Sequence, residues 1–201
     1  TSLFECQTGT ELENMYLLGD FGVYGTPEQT FSQLIRFNRR FMLDDLSDTA
    51  SGELTRDGYA FYIGNVLLSQ KFSFEKKAGK TYLCFGDYHG SVAEVFVNGV
   101  SCGDVYKPPY RIEVTKALRD GENTLSVRLY NTLRPILGPY HHPDAEYGYC
   151  WGGYGDPDAS WTGSGGGADW YKKGELDTRA WSNSYHQVRF GISDLCLVTE
   201  D

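Results

Sequence analysis

The sequence predicts an all-β fold, a sandwich of antiparallel strands, from three observations. In the short run AEVFV at 93–97, successive side chains of an extended strand point to opposite faces, so that Ala93, Val95 and Val97 fall on one side. Asn98-Gly99 follows directly, and this dipeptide favours a tight hairpin because both residues tolerate positive φ. Glycine occurs 24 times and aromatic residues make up 15% of the 201 residues, a composition typical of sandwiches and barrels.

Further strands are predicted on both sides of this hairpin. Pro108-Pro109 lacks two backbone donors, which places that stretch at an edge or in a loop. Thr115 is expected to cap a short turn that buries Leu118 and ends at Gly121. Residues 44–57 are polar and rich in turn formers, which predicts a surface connection. The predicted strands are, in chain order, 12–21, 31–43 (one bent strand or two), 59–74 with an interruption near 64–65, 81–85, 92–97, 101–105, 110–114, 124–131 and 186–199.

Residues 133–185 form a segment between the last two predicted strands that is far longer than the usual sandwich connection. It is rich in glycine, and all 4 tryptophans of the chain lie within it. Two interpretations remain open, a flexible loop and an ordered ligand-binding loop on a rigid scaffold. The aromatic residues favour order, because disordered segments are poor in them.

Composition excludes several classes of partner. The net charge is −9, and the basic residues form only short pairs such as Arg39-Arg40, which argues against a nucleic-acid partner. No apolar run is long enough to cross a bilayer, so no membrane partner is expected. The 5 cysteines contain no CxxC pair, which disfavours a zinc site. Cys84 and Cys196 lie in apolar strand runs and are predicted to be buried.

Three motifs resemble a known family: VFVNG at 95–99, PPYRIEVTKAL at 108–118 and DGENTLSVRLYN at 120–131. Together they resemble the sugar-binding domain of glycoside hydrolase family 2 and its galactose-binding-like relatives. Flanking residues 11–23, 58–64 and 132–142 look similar to the C-terminal domain of large bacterial α-L-rhamnosidase-like glycoside hydrolases. The resemblance implies a galactose-binding-like jelly-roll β-sandwich that carries the aromatic, glycine-rich segment 133–185.

The resemblance also implies a function. Such a domain is accessory, since the catalytic carboxylates of these enzymes lie on another domain. We therefore expect one β-sandwich domain over residues 1–201 that binds carbohydrate without catalysis and packs beside a parent catalytic domain. A chain that begins at Thr1 rather than methionine is expected to be a piece of a larger bacterial enzyme, secreted or in the cell envelope. A purely structural domain and a glycosidase in its own right are the alternatives.

Sugar binding needs flat apolar rings for the CH faces of a pyranose and polar groups for its hydroxyls. The alternative role for these rings is to pack down as a lid on the sandwich. No organic cofactor is expected, whereas the resemblance is compatible with a structural calcium ion, with Asp194 as the candidate ligand beside Glu200 and Asp201. The candidate ligand-binding residues all lie in the segment 133–185: Trp151, Tyr154, Trp161 and Trp170 for stacking, and Asp156, Asp158 and His142 for hydroxyls.

Overall fold

The computed structural model describes residues 17–48, 50–137 and 184–200. These residues contain ten strands, one 3-10 turn and no α-helix, so the all-β prediction is confirmed. None of the described residues belongs to a helix long and apolar enough to span a membrane. The strands are β1 (Gly22–Thr30), β2 (Leu34–Asp44), β3 (Asn65–Phe74), β4 (Lys80–His89), β5 (Val92–Val97), β6 (Val100–Val105), β7 (Arg111–Glu113), β8 (Gly121–Tyr130), β9 (Tyr185–Val188) and β10 (Gly191–Glu200), with the 3-10 turn at Arg134–Leu137 after β8.

The strands form three antiparallel sheets. Sheet I has the order β1-β2-β9, sheet II the order β10-β4-β7, and sheet III the order β3-β8-β5-β6. The main core contains buried side chains from sheets II and III, which identifies these two sheets as the layers of the sandwich. A smaller cluster of Leu34, Val188 and Phe31 belongs to sheet I. The jelly-roll connectivity itself stays a prediction.

The alternation seen in the sequence decides which side chains enter the core. Ala93, Val95 and Val97 of β5 are at most 1% exposed. On β8, Val127 and Leu129 are buried to the same degree. Their neighbours on each strand, which are Glu94 and Phe96 on β5 and Ser126 and Arg128 on β8, point to the other side, as a period of two requires. Burial of these faces supplies the hydrophobic stabilisation that joins the two layers.

The Asn98-Gly99 hairpin is confirmed and is more than a turn. Asn98 has a φ of 52° and Gly99 a φ of 79°, the left-handed region that this dipeptide tolerates. The Asn98 side chain accepts a hydrogen bond from the Thr124 amide at 3.0 Å and donates to the Ala117 carbonyl at 2.9 Å. It also donates to Asn123 at 2.8 Å. The hairpin is therefore fixed to both β8 and the turn before it.

The turn that precedes β8 buries Leu118 as predicted, but its Thr115 acts differently from the prediction. The Thr115 hydroxyl accepts a hydrogen bond from the Thr81 amide at 2.8 Å, which ties the turn to β4 instead of capping it. Gly121 has a φ of 86° and begins β8. The sequence pattern located the turn correctly, whereas the partner of the threonine came from a distant strand.

Two strands predicted on the N-terminal side have different boundaries in the structure. Residues 17–21 lie outside any strand, and β1 begins at Gly22 and includes Pro27, while residues 12–16 lie outside the described part. Proline is tolerated there because β1 is an edge strand whose register shifts on either side of Pro27. In the region predicted over 59–74, the strand begins at Asn65, where the interruption was predicted. Residues 59–62 form a turn instead of a strand, and in it the Tyr62 amide donates to the Tyr59 carbonyl.

The predicted surface connection at 44–57 is only partly exposed. Leu54 and Thr55 are at most 1% exposed. The Phe190 amide donates a 2.7 Å hydrogen bond to the Thr55 hydroxyl, and the Thr55 amide donates to the Phe190 carbonyl at 3.2 Å. Leu54 of this connection therefore packs in the main core, and Thr55 bonds the backbone of Phe190, which lies between β9 and β10.

The strand predicted over 186–199 divides into β9 and β10, which belong to different sheets. The division occurs at Gly191, where the backbone closely approaches residue 52. A Cβ on Gly191 would lie 2.0 Å from the Gly52 carbonyl oxygen, so no other residue fits without a shift of the backbone. The Ile192 amide donates to the same carbonyl at 2.9 Å, which holds the connection against the start of β10.

Candidate functional site: a cleft between two strand edges

A cleft of about 740 Å³ opens where the two layers of the sandwich end on the same side. β3 is the edge strand of sheet III and β10 is the edge strand of sheet II. Both strands line the cleft, and residue 48 together with residues 50–52 contributes a third wall. The volume lies in the range typical of small-molecule sites.

The lining combines apolar and polar residues. Val127 is 1% exposed and Ile192 6% exposed, so the apolar lining continues the sandwich core. The polar lining carries carboxylate, hydroxyl and amide side chains. The apolar members are Ala50, Leu67, Leu68, Leu125, Val127, Ile192 and Leu195, and the polar members are Asp48, Ser51, Ser69, Gln70, Ser193 and Asp194.

Asp194, predicted as a metal ligand, lines this cleft on β10. Its φ is 53°, which aspartate and asparagine tolerate better than most residues. It lies beside Gly86 of β4, where a Cβ would approach the Asp194 Cβ to 2.7 Å. Glycine at position 86 thus leaves room for the Asp194 backbone in this conformation.

The residues near Asp194 give no further support to a metal ion. In residues 17–48, 50–137 and 184–200, no three His, Cys, Asp or Glu side chains are grouped closely enough to hold one. The Glu200 carboxylate is paired with Arg111 at 2.7 Å, and Asp201 lies outside the described residues. Calcium binding by Asp194 therefore stays a prediction.

An ion cluster supports the wall of the cleft. Arg189 lies 2.6 Å from Glu53 and 2.6 Å from Asp87, and its side chain is 15% exposed. Glu53 follows Gly52 of the cleft wall, and Asp87 pairs in register with Ser193 of β10. Asp87 also lies 2.8 Å from His89. The cluster therefore joins the connection, β4 and the start of β10, all of which position the cleft.

The pKa of Asp87 should make stability depend on pH. Burial alone would raise this pKa, but hydrogen bonds and charge from Arg189 and His89 together lower it below the usual value. A carboxyl with a lowered folded-state pKa stabilises the protein above its unfolded pKa, about 3.9. That stability is lost as the pH falls through the lower folded-state value.

Replacing Asp87 by asparagine should therefore reduce the acid sensitivity of the fold. We expect the urea midpoint of the wild type to fall more between pH 7 and pH 3 than that of Asp87→Asn. Asp104→Asn, an exposed substitution on β6, is the matched control, and its urea midpoint should depend on pH as that of the wild type does. Equal pH dependence in the wild type and Asp87→Asn would show that the Asp87–Arg189 ion pair contributes nothing to the pH dependence of stability.

The structure tests the predicted site residues unevenly. Asp194 is placed in the cleft, whereas the ligand-binding residues predicted in the segment 133–185 lie outside the described residues: His142, Trp151, Tyr154, Asp156, Asp158, Trp161 and Trp170. The remaining polar residues of the cleft were missed from sequence. Gln70 and Ser193 are far apart in the chain, and only the edge positions of β3 and β10 bring them to one site.

No protein-family model matches the chain. Among curated proteins, a "Putative beta-glucuronidase" of Formosa agariphila is 33% identical over 104 residues, which is 50% of this chain and 9% of the relative. The chain therefore spans less than a tenth of the length of the curated relative that it matches.

Similar solved structures are also glycoside hydrolases. A rhamnosidase from Novosphingobium sp. PP1Y is 25% identical, covering 63% of this chain and 12% of that one, with a TM-score of 0.37. A β-glucuronidase from Bifidobacterium dentium is 20% identical, covering 55% and 18%, with a TM-score of 0.35.

Proposed function

We propose that this chain is an accessory domain of a glycoside hydrolase that binds carbohydrate and leaves catalysis to another domain. The observation that carries the proposal is the 33% identity to a segment that makes up 9% of a β-glucuronidase-like protein. A match to so small a part of an enzyme favours an accessory role over a complete catalytic unit. The absence of a recognisable catalytic motif in the sequence points the same way.

The chemistry of the cleft supports a sugar as the ligand. The apolar side chains offer a surface for the CH groups of a pyranose, and the serines, Gln70 and Asp194 offer partners for its hydroxyls. A carboxylate that accepts a hydroxyl hydrogen bond forms one of the stronger kinds of hydrogen bond. Ring stacking in the cleft is not proposed, because no aromatic residue is among its lining residues.

The charge of the cleft favours a neutral sugar. Asp48 and Asp194 both line it, and the chain as a whole carries a net charge of −9. A uronic acid would bring a further negative charge toward these two carboxylates, which like charges oppose. We therefore propose that the domain binds neutral sugar units, even if the parent enzyme acts on a glucuronide as the name of its relative suggests.

The experiment has two steps. A glycan array first identifies oligosaccharides that the chain binds, and calorimetric titration then compares its affinity for neutral and uronic forms. Asp194→Asn keeps the size of the side chain and the tolerance for positive φ but removes the charge. We expect it to weaken binding of the neutral sugar by about tenfold, since charged hydrogen bonds are about twice as strong as neutral ones. Asp104→Asn should bind like the wild type.

The variants also distinguish the cleft from the segment 133–185. If stacking by Trp151, Trp161 or Trp170 provides the binding, alanine at those positions will abolish it and Asp194→Asn will have no effect. If the cleft provides it, the reverse holds. Unchanged affinity in Asp194→Asn therefore contradicts the cleft proposal while leaving the accessory role intact.

A structural role beside a catalytic domain is the second candidate, and one observation favours it. Met42, Leu43 and Leu46 follow each other closely at the end of β2 and are 71%, 52% and 39% exposed. Met42 and Leu43 are successive strand residues and point to opposite faces, so this end of β2 exposes an apolar side chain on each face, and exposed apolar surface is typical of contact with another protein. A chain that binds no glycan on the array would support this role over carbohydrate binding.

A further inference from the structure

Two cysteines face each other directly across the β4–β10 pair. Cys84 of β4 and Cys196 of β10 are register partners in the antiparallel ladder, and both thiols are free. Directly opposed residues in such a ladder have Cα atoms about 4.5 or 5.5 Å apart, depending on the hydrogen-bonding pattern. Both separations fall in the range of about 4.4–6.8 Å that a disulfide spans.

The two sulfurs share one face of sheet II and differ in exposure. On β4, Leu83 and Phe85 are buried in the core, so Cys84 between them points to the opposite face. Cys196 is exposed, whereas Cys84 is half-buried. The prediction that both cysteines are buried was therefore wrong: Cys196 is exposed and Cys84 only half-buried, because both lie on the face of sheet II that points away from the core.

We propose that Cys84 and Cys196 form a reversible cross-strand disulfide that fastens the edge strand β10 to β4. The oxidant is a low-molecular-weight disulfide, which exchanges with these two thiols. The inference is independent of the ligand proposed for the cleft, since it rests on the pairing of the two strands alone.

The exposure of the two thiols sets the order of the chemistry. The Cys196 thiol loses its proton, and the thiolate attacks the small disulfide, forming a mixed disulfide and releasing one small thiolate. The Cys84 thiol then loses its proton, and its thiolate attacks the Cys196 sulfur and releases the second small thiolate. Two protein thiols are oxidised, one small disulfide is reduced to two thiols, and the two protons pass to the released thiolates.

The environment of Cys84 fits the second, resolving position. Burial, as the largest effect, and the neighbouring Cys196 raise the pKa of the Cys84 thiol, while Arg111 opposes the rise. A thiol with a raised pKa is a poor first nucleophile at neutral pH. Cys84 lies directly opposite Cys196, however. Once Cys196 carries the mixed disulfide, the Cys84 thiolate has only to displace the small thiolate from the Cys196 sulfur.

The disulfide would act on the wall of the cleft. Asp194 and Leu195 of the cleft directly precede Cys196 on β10. Apart from the contact of Gly191 and Ile192 with residues 52–53, β10 has one hydrogen-bonded neighbour, β4, and a covalent bond between these two strands would limit separation of β10 from the sandwich. Oxidation is therefore expected to stabilise both the fold and the position of this wall.

The test incubates the full chain with oxidised glutathione, blocks remaining thiols and maps disulfide-linked peptides by mass spectrometry. We expect a peptide pair joining Cys84 to Cys196, and a rise in Tm of roughly 5–15 °C that a reductant reverses. Cys196→Ser, an exposed substitution, should lose both the linkage and the rise. Cys102→Ser, at a half-buried cysteine on β6, is the matched control and should keep both.

Two results would overturn the proposal. One is a wild-type chain in which Cys84 and Cys196 remain alkylatable after oxidation, or in which either is linked instead to Cys6, Cys102 or Cys150. The other is a Tm rise of the same size in Cys196→Ser, since the stabilisation would then come from a different linkage.

Discussion

Replacing Asn123 by alanine should destabilise the fold by about 3 kcal/mol, because each buried polar group left without a partner costs about 1–3 kcal/mol. Asn123 is 1% exposed and uses its whole amide group. Its oxygen accepts from the Arg119 amide at 2.9 Å and from Asn98 at 2.8 Å. Its nitrogen donates to the carbonyls of Arg119 and Gly121 at 2.8 and 2.9 Å.

This loss should appear as a lower midpoint of urea unfolding with little change in slope. Lys116→Ala changes an exposed side chain in the neighbouring turn and is the control, with an expected effect within about 0.5 kcal/mol. If Asn123→Ala cost no more than Lys116→Ala, the asparagine network would not hold the Asn98-Gly99 hairpin to β8, and the account of that hairpin would fail.

Phe190→Ala should cost about 3–5 kcal/mol, the range for removing a fully buried aromatic ring. Phe190 is 1% exposed and lies between β9 and β10, where its backbone is bonded to Thr55 in both directions. The substitution would leave a cavity in the main core and keep the backbone hydrogen bonds. The loss therefore measures the packing of this ring alone.

Unfolding in urea again provides the measurement. Phe190→Leu retains most of the apolar volume and should cost clearly less than the alanine variant. Val100→Ala, at a side chain that is 53% exposed, is the control and should change stability little. A similar stability for Phe190→Ala and Val100→Ala would contradict the placement of Phe190 in the core.

The parts of the fold that sequence predicted well are those decided by neighbouring residues. The alternation of Val95 and Val97 with the outward-facing Glu94 and Phe96 fixes the face of β5, and the Asn98-Gly99 dipeptide fixes the turn. These signals depend only on a period of two and on the tolerance for positive φ. Both were confirmed because nothing distant in the chain competes with them.

The parts that sequence missed depend on partners far apart in the chain. Arg189 meets Asp87 across 102 residues and Glu53 across 136. Nothing near Gly191 indicates that the Gly52 carbonyl will approach it, yet this contact divides one predicted strand into two. Local alternation continues through both strands, so the change of sheet has no signal in the pattern.

The candidate site also combines a residue that the sequence indicated with partners that come from distant parts of the chain. Asp194 was singled out from sequence, but as a metal ligand, whereas the structure places it in a cleft with Gln70 and Ser193. That cleft exists because two edge strands end on the same side of the sandwich, a property of strand order rather than of any motif. The aromatic residues predicted to stack on sugar lie in 138–183, outside the described residues, and remain a prediction.

Calorimetric titration of the full chain with the neutral oligosaccharides selected on a glycan array tests the central claim most directly. The account predicts saturable binding of a neutral sugar, weaker binding of its uronic counterpart, and no release of sugar products during the titration. A chain that binds no glycan, or that cleaves the one it binds, would contradict an accessory carbohydrate-binding role.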